Sequence, residues 1–385
     1  MTASVRPRLL FLTERYPPDP GGVASSSGRI AAALEALGVD VDVVAWTRAL
    51  QPGVVAQSGN VTRMGRFREW DNTLPHTLNL FDWMRTTRRY DAIWGHYLSP
   101  AGFLAVWYGR LKGIPATASI RGNDLDRDMF PPGDFARLLW TLQHAQCITA
   151  VTRDLAEKAA SLSGRDDVLC VSNAVDHDVF APLTPAADLR ERLGVRPEEA
   201  VLGFAGELRE KKGQQFLLEA LRSVRQQRPA CLLIIGEVRP SEIPRLLPLL
   251  GEGTLEDHRI LVTGQLQTPA EVNLHLQLCD VYLQPSLWDG MPNALLEAMA
   301  AGCGCIGSDA GGIPEIIEHG ANGTIVPRWE LQGLGGAVLD WLNAGPAYRD
   351  RIRAAARAGM IANFSFDLER GQLQTVLSRL IPSSS

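Results

Sequence analysis

The sequence predicts an α/β protein built from two parallel-sheet units. Three observations carry this reading. Short apolar runs alternate with helical patterns along the whole chain. The alternation breaks at 173–197, a stretch that holds Pro182, Pro185 and Pro197. The 385 residues also suffice for about two domains, each with its own core.

The first unit opens with Leu-Leu-Phe-Leu-Thr at 9–13, read as a buried strand, and a Pro/Gly-rich loop over 14–22. A helix is expected over 25–37, with Ile30, Leu34 and Leu37 on one face, stopped by Gly38. The next strand is expected at 41–46, with further strands at 92–94 and 117–120. A second unit begins near Ala200, with strands at 201–205, 231–235, 260–263, 281–283 and 305–307. Helical patterns separate them at 214–228, 270–278 and 294–301. The expected division is 1–175, a linker at 176–199, 200–365, and a last segment at 366–385 with a helix near 367–381. Beyond the terminal serines at 383–385 there is no low-complexity segment and no long repeat.

Apolar residues at 45% and charged residues at 21% are ordinary for a soluble globular protein. The formal net charge is −5 with no basic block, so nucleic acid is not an expected partner. Cysteines fall at 147, 170, 231, 279, 303 and 305. The close pair Cys303-Gly-Cys305 has no second pair or histidine beside it and reads as core packing. A reducing cytoplasm fits this usage. The first apolar run is too short for a signal peptide, and no run reaches the roughly 18 residues of a membrane span. The chain is expected to be cytoplasmic, soluble or peripheral at the inner face of the membrane.

The most informative stretch is Asp289-Gly290-Met291-Pro292-Asn293-Ala-Leu-Leu-Glu297. An acid in a turn precedes a helix start, and Glu297 lies one turn after Asn293 on the same face. Free backbone N–H groups at such a start suit a phosphate, and the two carboxylates suit hydroxyl groups. Together they describe a sugar nucleotide. Asp280-Val-Tyr-Leu-Gln-Pro285-Ser286 precedes this stretch and Gly311-Gly-Ile-Pro-Glu315 follows it.

These three blocks resemble the acid-x7-acid motif and its neighbours in the retaining GT-B glycosyltransferases of the glycogen-synthase-like group, family 4. Asn173-Ala-Val-Asp176…Phe180 resembles the hinge entry of that family, with Ala174 in place of its glycine. The resemblance implies the GT-B fold, two Rossmann-like α/β domains facing each other across a cleft, with the last helix crossing back to the N-terminal, acceptor-side domain. It implies a hexosyltransferase-like enzyme that moves a sugar from a nucleoside diphosphate to an acceptor hydroxyl with retention and without a metal or other cofactor.

On that resemblance Lys212 maps to the phosphate lysine, within Gly206-Glu-Leu-Arg209-Glu-Lys211-Lys212-Gly213. The family arginine falls at Glu207, and Arg209 is the substitute expected for it. Glu297 would bind ribose, and Asp289 with Gly290, Met291, Pro292 and Asn293 would hold the sugar; the family usually has Glu where Asp289 stands. Gly22, closing the first βα loop after Gly21, suits close approach of a phosphate, and its spacing is not that of a nicotinamide site. In Arg121-Gly122-Asn123-Asp124, Arg121 replaces a family histidine beside the anomeric centre, and Asn123 and Asp124 fall on the acceptor side. His96, at a strand end, matches a histidine near the acceptor. Asp-x-Asp occurs at 40–42, 124–126, 126–128 and 176–178, too cheaply to indicate a metal.

Arg63, Arg66, Arg68 and Arg85, Arg88, Arg89 are interleaved with Phe67, Trp70, Phe81 and Trp83. They read either as a surface for anionic membrane or as solvated loops over core aromatics. The acceptor is open between glycan, lipid-linked and small-molecule hydroxyls. Two rival functions stand beside the transferase: a sugar-nucleotide epimerase or hydrolase, and a non-catalytic nucleotide-sugar-binding or scaffold subunit.

Overall fold

Leu9, Leu10, Phe11 and Leu12 are wholly buried, so the first strand, β1 (Arg8–Thr13), is covered on both faces, as a central parallel strand must be. In this computed structural model the described residues are 6–122, 124–184, 187–250 and 253–382. The acceptor-side Asn123, Pro185 and the serines at 383–385 lie outside them. The chain divides into two units, Met1–Asn173 with Glu369–Ser385, and Ala174–Leu368.

In the N-terminal unit the remaining strands are β2 (Asp40–Thr47), β3 (Val55–Ser58), β4 (Val61–Gly65), β5 (Ala92–His96), β6 (Ala116–Ile120), β7 (Cys147–Ala150) and β8 (Leu169–Cys170). They form one sheet in the order β3-β4-β2-β1-β5-β6-β7-β8, parallel throughout except for the β3–β4 hairpin. The strands read at 9–13, 41–46, 92–94 and 117–120 are present. The hairpin and β7–β8 were not read, because β3 is exposed along its whole length and β8 has two residues.

The first helix, α1 (Gly22–Ala36), starts three residues before the expected 25–37, because Gly21 turns the chain into it at φ +103°. A terminal helix, Phe366–Leu380, sends Leu373, Val376 and Leu380 into the core formed by Leu9, Phe11, Ile30, Leu34 and Trp94. Each such buried Leu or Val contributes about 1.5–3 kcal/mol of burial. Glu369 at its start grips Arg29 of α1 through both guanidinium edges, at 2.8 and 3.0 Å.

The C-terminal unit contains β9 (Ala200–Ala205), β10 (Ala230–Ile235), β11 (Ile260–Val262), β12 (Val281–Gln284), β13 (Cys305–Ser308) and β14 (Thr324–Val326). They form a wholly parallel sheet in the order β11-β10-β9-β12-β13-β14. The helical pattern at 214–228 forms Gln214–Arg225, and that at 294–301 forms α2 (Asn293–Ala300). The stretch 176–199 is part of this unit and carries a short helix, Ala187–Arg192.

Both sheets wind outward in two directions from a central strand. β1 is flanked by β2 and β5, and β9 by β10 and β12. Where winding reverses, the loops leaving adjacent strands diverge and open a crevice at the carboxyl edge. These two places position everything that follows.

Candidate functional site

In the C-terminal unit the crevice is built from the loops after β9, β10 and β12. Gly213 (φ +74°) brings the first against the third: a Cβ there would stand 1.9 Å from the carbonyl oxygen of Pro285. The contact is tied by Leu287 N–H donating to Lys211 O at 2.9 Å. This sets Lys212 Nζ on Asp289 Oδ2, so the two residues 77 apart in sequence form a partly buried ion pair.

Asp289 is oriented from behind by a chain of polar groups at the end of β12. Tyr282 OH donates to Gln284 Oε1 at 2.8 Å, Gln284 Nε2 donates to Ser286 Oγ at 2.8 Å, and Ser286 Oγ donates to Asp289 Oδ2 at 3.2 Å. Burial pushes the Tyr282 phenol well above its ordinary range, so it stays a donor. The sequence reading did not single out Gln284 and Ser286. The signal available was polar residues, wholly buried here, at the end of an otherwise apolar strand.

Asp289 does not cap α2. Its Oδ1 accepts from Gly290 N at 3.1 Å, and the N-cap is Pro292, with no side-chain hydrogen bond. The first N–H groups of α2 therefore stay available to an anion. Met291 is buried, and Gly290 O accepts from Gly312 N at 2.7 Å. Asn293 Oδ1 is buried without a hydrogen-bond partner among the described residues. Glu297 is half-buried one turn along.

Arg209, expected as the second cation, is gripped by Glu207, which stands where the family arginine was expected. Glu207 is also held by Arg239, whose Nη2 donates at 3.0 Å. Gly206 and Gly236 allow this: a Cβ on Gly236 would lie 2.4 Å from Gly206 O, and Leu208 N–H bonds Glu237 O at 3.0 Å. The loops after β9 and β10 therefore run side by side. Arg239 was missed because its partner lies 32 residues away through a crossover. Burial lowers the Arg209 pKa from its usual value, and its Nε is buried without a partner among the described residues.

In the N-terminal unit His96 closes β5 and is wholly buried. Its Nε2 lies 2.9 Å from Ser26 Oγ, and Nδ1 has no partner among the described residues. Burial first, then the guanidinium of Arg121, holds it well below the ordinary histidine range, so it is neutral. Arg121 is 5% exposed and donates to Val171 O at 2.9 Å and Asn173 Oδ1 at 2.5 Å. Burial brings its pKa down to about 10, which leaves it charged at neutral pH. Gly22 is exposed at the first turn of α1.

Asp124 accepts from Leu98 N at 3.0 Å and Gly122 N at 2.9 Å, clamping the loop after β5 to the loop after β6. Burial pushes its carboxyl up to about 6. The other Asp-x-Asp acids have partners of their own: Asp40 with Arg8, Asp42 with Arg88 and Tyr90, Asp126 with Lys158, Asp128 with Arg127, Asp176 with the N–H groups of Asp178 and Val179, and Asp178 with His177. Among the described residues no group of three or more His, Cys, Asp or Glu is placed to hold a metal ion. Among them too, no helix is long and apolar enough to cross a membrane. Of the basic and aromatic set, Phe81 is core and Arg63 pairs with Asp19, while Trp83 is 61% exposed.

Two parallel-sheet α/β units, each with a crevice at its switch point, are the architecture of the GT-B glycosyltransferases. The chain matches the family profile described as Glycosyl transferases group 1 over 199–344, and that described as Glycosyl transferase 4-like domain over 21–174. It belongs to the family 4 type of these enzymes. The amylovoran biosynthesis glycosyltransferase AmsK of Erwinia amylovora is 32% identical over 232 residues, 55% of this chain and 56% of that protein. The D-inositol 3-phosphate glycosyltransferase of Jonesia denitrificans is 28% identical over 379 residues, covering 88% and 87%. Among solved structures, a sucrose-phosphate synthase from Thermosynechococcus elongatus superposes at TM-score 0.80 and 19% identity, covering 98% of this chain and all of that one. HepE of Anabaena, solved with UDP-glucose, gives 0.76 at 18% identity, covering 96% and 99%.

Proposed function

We propose that this glycosyltransferase takes a nucleoside-diphosphate sugar as donor and transfers the sugar to an acceptor hydroxyl with retention and without a metal ion. The observation that carries the proposal is the Lys212–Asp289 pair beside the open start of α2. A cation and free N–H groups within one crevice can neutralise a leaving diphosphate in place of a divalent ion. Asp289, held from behind by Ser286 and Gln284, is fixed to accept from sugar hydroxyls. Arrival of the diphosphate would draw Lys212 from Asp289 and free that carboxylate for the sugar. Glu297 serves ribose in this reading, and Arg209 with Arg239 adds positive charge. The solved HepE complexes contain UDP and UDP-glucose, which makes a uridine nucleotide the first to try. A lipid-linked acceptor would bring the exposed Trp83, with Arg85 and Arg89, to the inner membrane face.

The test is titration calorimetry of UDP, GDP and ADP, and of their glucose and mannose conjugates, in the presence of a chelator. One nucleotide should bind, and Lys212→Ala should weaken it about 10- to 150-fold, the worth of a charge-assisted hydrogen bond. Product anomers from the transfer reaction, read by proton couplings in NMR, should match the donor. Absence of binding by the folded protein, or binding that Lys212→Ala leaves unchanged, would overturn the assignment.

A further inference from the structure

One side edge of the N-terminal sheet is left unprotected. Its outermost strand, β3, is exposed along its whole length, Val55–Ser58. Edge strands carry open N–H and C=O groups that template pairing with another chain, and charges or prolines usually blunt them. β3 contains neither. Residues 49–62 hold no charge at all, where the chain's 21% would place about three. Arg63, opposite Ala56 on β4, is turned away onto Asp19 at 3.2 Å and Tyr16 O at 3.0 Å. The helix Trp70–Arg85 stands clear of the edge, leaving a groove of about 510 Å³ lined by Val55, Gln57, Met64, Leu80 and the exposed Trp83.

The backbone of β3 is aimed outward. Gly59 (φ +60°) turns the chain between Ser58 and Val61, and at the other end Gly65 N donates to Val54 O at 2.8 Å. Residues bonded to the partner strand alternate with residues that are not. Val54, Ala56 and Ser58 therefore face β4, and Val55 and Gln57 turn their N–H and C=O groups to the free edge.

These groups decide the partner. Hydrocarbon cannot satisfy them, and an uncharged stretch gives anionic lipid nothing to attract, so the edge does not suit a bilayer. A second copy suits it, because the strand is its own complement. With a two-fold axis at Ala56, Val55 of each copy lies opposite Gln57 of the other, and four main-chain hydrogen bonds form. Alanine meets alanine on the axis, no like charges are brought together, and small side chains let the strands close. Val55 and Gln57 both line the groove, so the grooves of the two copies become continuous.

We propose that β3 pairs with β3 of a second copy of this chain, joining two eight-stranded sheets into one. So short an edge buries less than the roughly 1,200 Å² of a standard interface, and the pair is weak and reversible, with a Kd of about 1–100 μM.

The experiment is sedimentation equilibrium of the full chain across about 1–300 μM, which spans that range. The mass should rise toward twice that of one chain. Ala56→Lys and Ala56→Glu should each weaken the pair at least tenfold, because each charge then faces its own copy across the axis. An equimolar mixture of the two should associate within threefold of wild type. An effect through the neighbouring Arg63 would move the two variants in opposite directions, so weakening in both reports the axis. Gln57→Pro, which removes only an outward N–H, should also weaken the pair, and all three variants should melt with the wild type at low concentration. Amide exchange at Val55 and Gln57 should slow as concentration rises, and exchange in β1 should not. A wild type that stays monomeric, variants that associate as it does, or a mixture no tighter than either variant alone overturns the proposal. Slowing of exchange at Val55 and Gln57 by phosphatidylglycerol vesicles, with the protein monomeric, also overturns it and gives the edge to a membrane.

Discussion

Gly311 offers a stringent check on the donor loop. Its φ is +50°, and a Cβ built there would stand 1.8 Å from the carbonyl oxygen of Asp289 and 3.2 Å from that of Gly290. Since Cβ atoms keep at least 3.0 Å from such neighbours, Gly311→Ala must push the 289–290 backbone away by about 1.2 Å. The left-handed conformation itself costs alanine about 1–2 kcal/mol, and the forced overlap adds about 1–3 kcal/mol. Gly320→Ala isolates the first cost, because Gly320 has φ +77° and nothing within 4 Å of its Cβ position. In paired denaturant melts Gly311→Ala should therefore lose about 1–3 kcal/mol more than Gly320→Ala. A 1 Å displacement of Asp289 should also cut donor turnover about 100-fold, an effect Gly320→Ala should not have. Equal stability of the two variants would refute the close approach. A large stability loss with full activity in Gly311→Ala would refute the placing of the donor at this loop.

Three further predictions concern the N-terminal unit. Asp124, raised from 3.8 to about 6, binds its proton more readily folded than unfolded, so it makes stability fall as pH rises from about 4 to about 6. The contribution is about 3 kcal/mol, read as the change in stability difference between wild type and Asp124→Asn across that window; a flat difference would rule it out. His96, held neutral, works oppositely and withdraws stability as pH falls below about 6.5. Glu369→Ala should cost about 3–5 kcal/mol, because it strands the largely buried Arg29 guanidinium. Calorimetry should show it, with early hydrogen exchange over Phe366–Leu380, and Arg29→Met with Glu369→Leu should restore much of the loss.

Much of the architecture could be read from the residues, because parallel strands buried on both faces announce themselves as apolar runs such as 9–13 and 231–235. The Asp289–Glu297 motif falls at the crevice where Lys212 meets Asp289, and its chemistry could be read because it is local to one turn and one helix. The residues around it resisted reading for a common reason. Arg239 meets Glu207, and Glu14, Arg66 and Asp128 line one cavity, only because strand order brings distant loops to one edge. Strand order is set by packing over the whole sheet and leaves no mark on spacing. His96 and Arg121 were legible as candidates, but not the partners that occupy them, Ser26, Val171 and Asn173.

The Arg29–Glu369 clasp closes a loop of 340 residues. The C-terminal unit is one continuous piece and can condense on the ribosome as soon as it emerges. The N-terminal unit, though made first, lacks the helix that covers Leu9, Phe11 and Trp94 until synthesis has passed residue 369. Its apolar surface therefore stays open to chaperones while residues 174–368 are being made. A break in the chain ahead of Phe366–Leu380 will thus be felt in the unit that precedes residue 174.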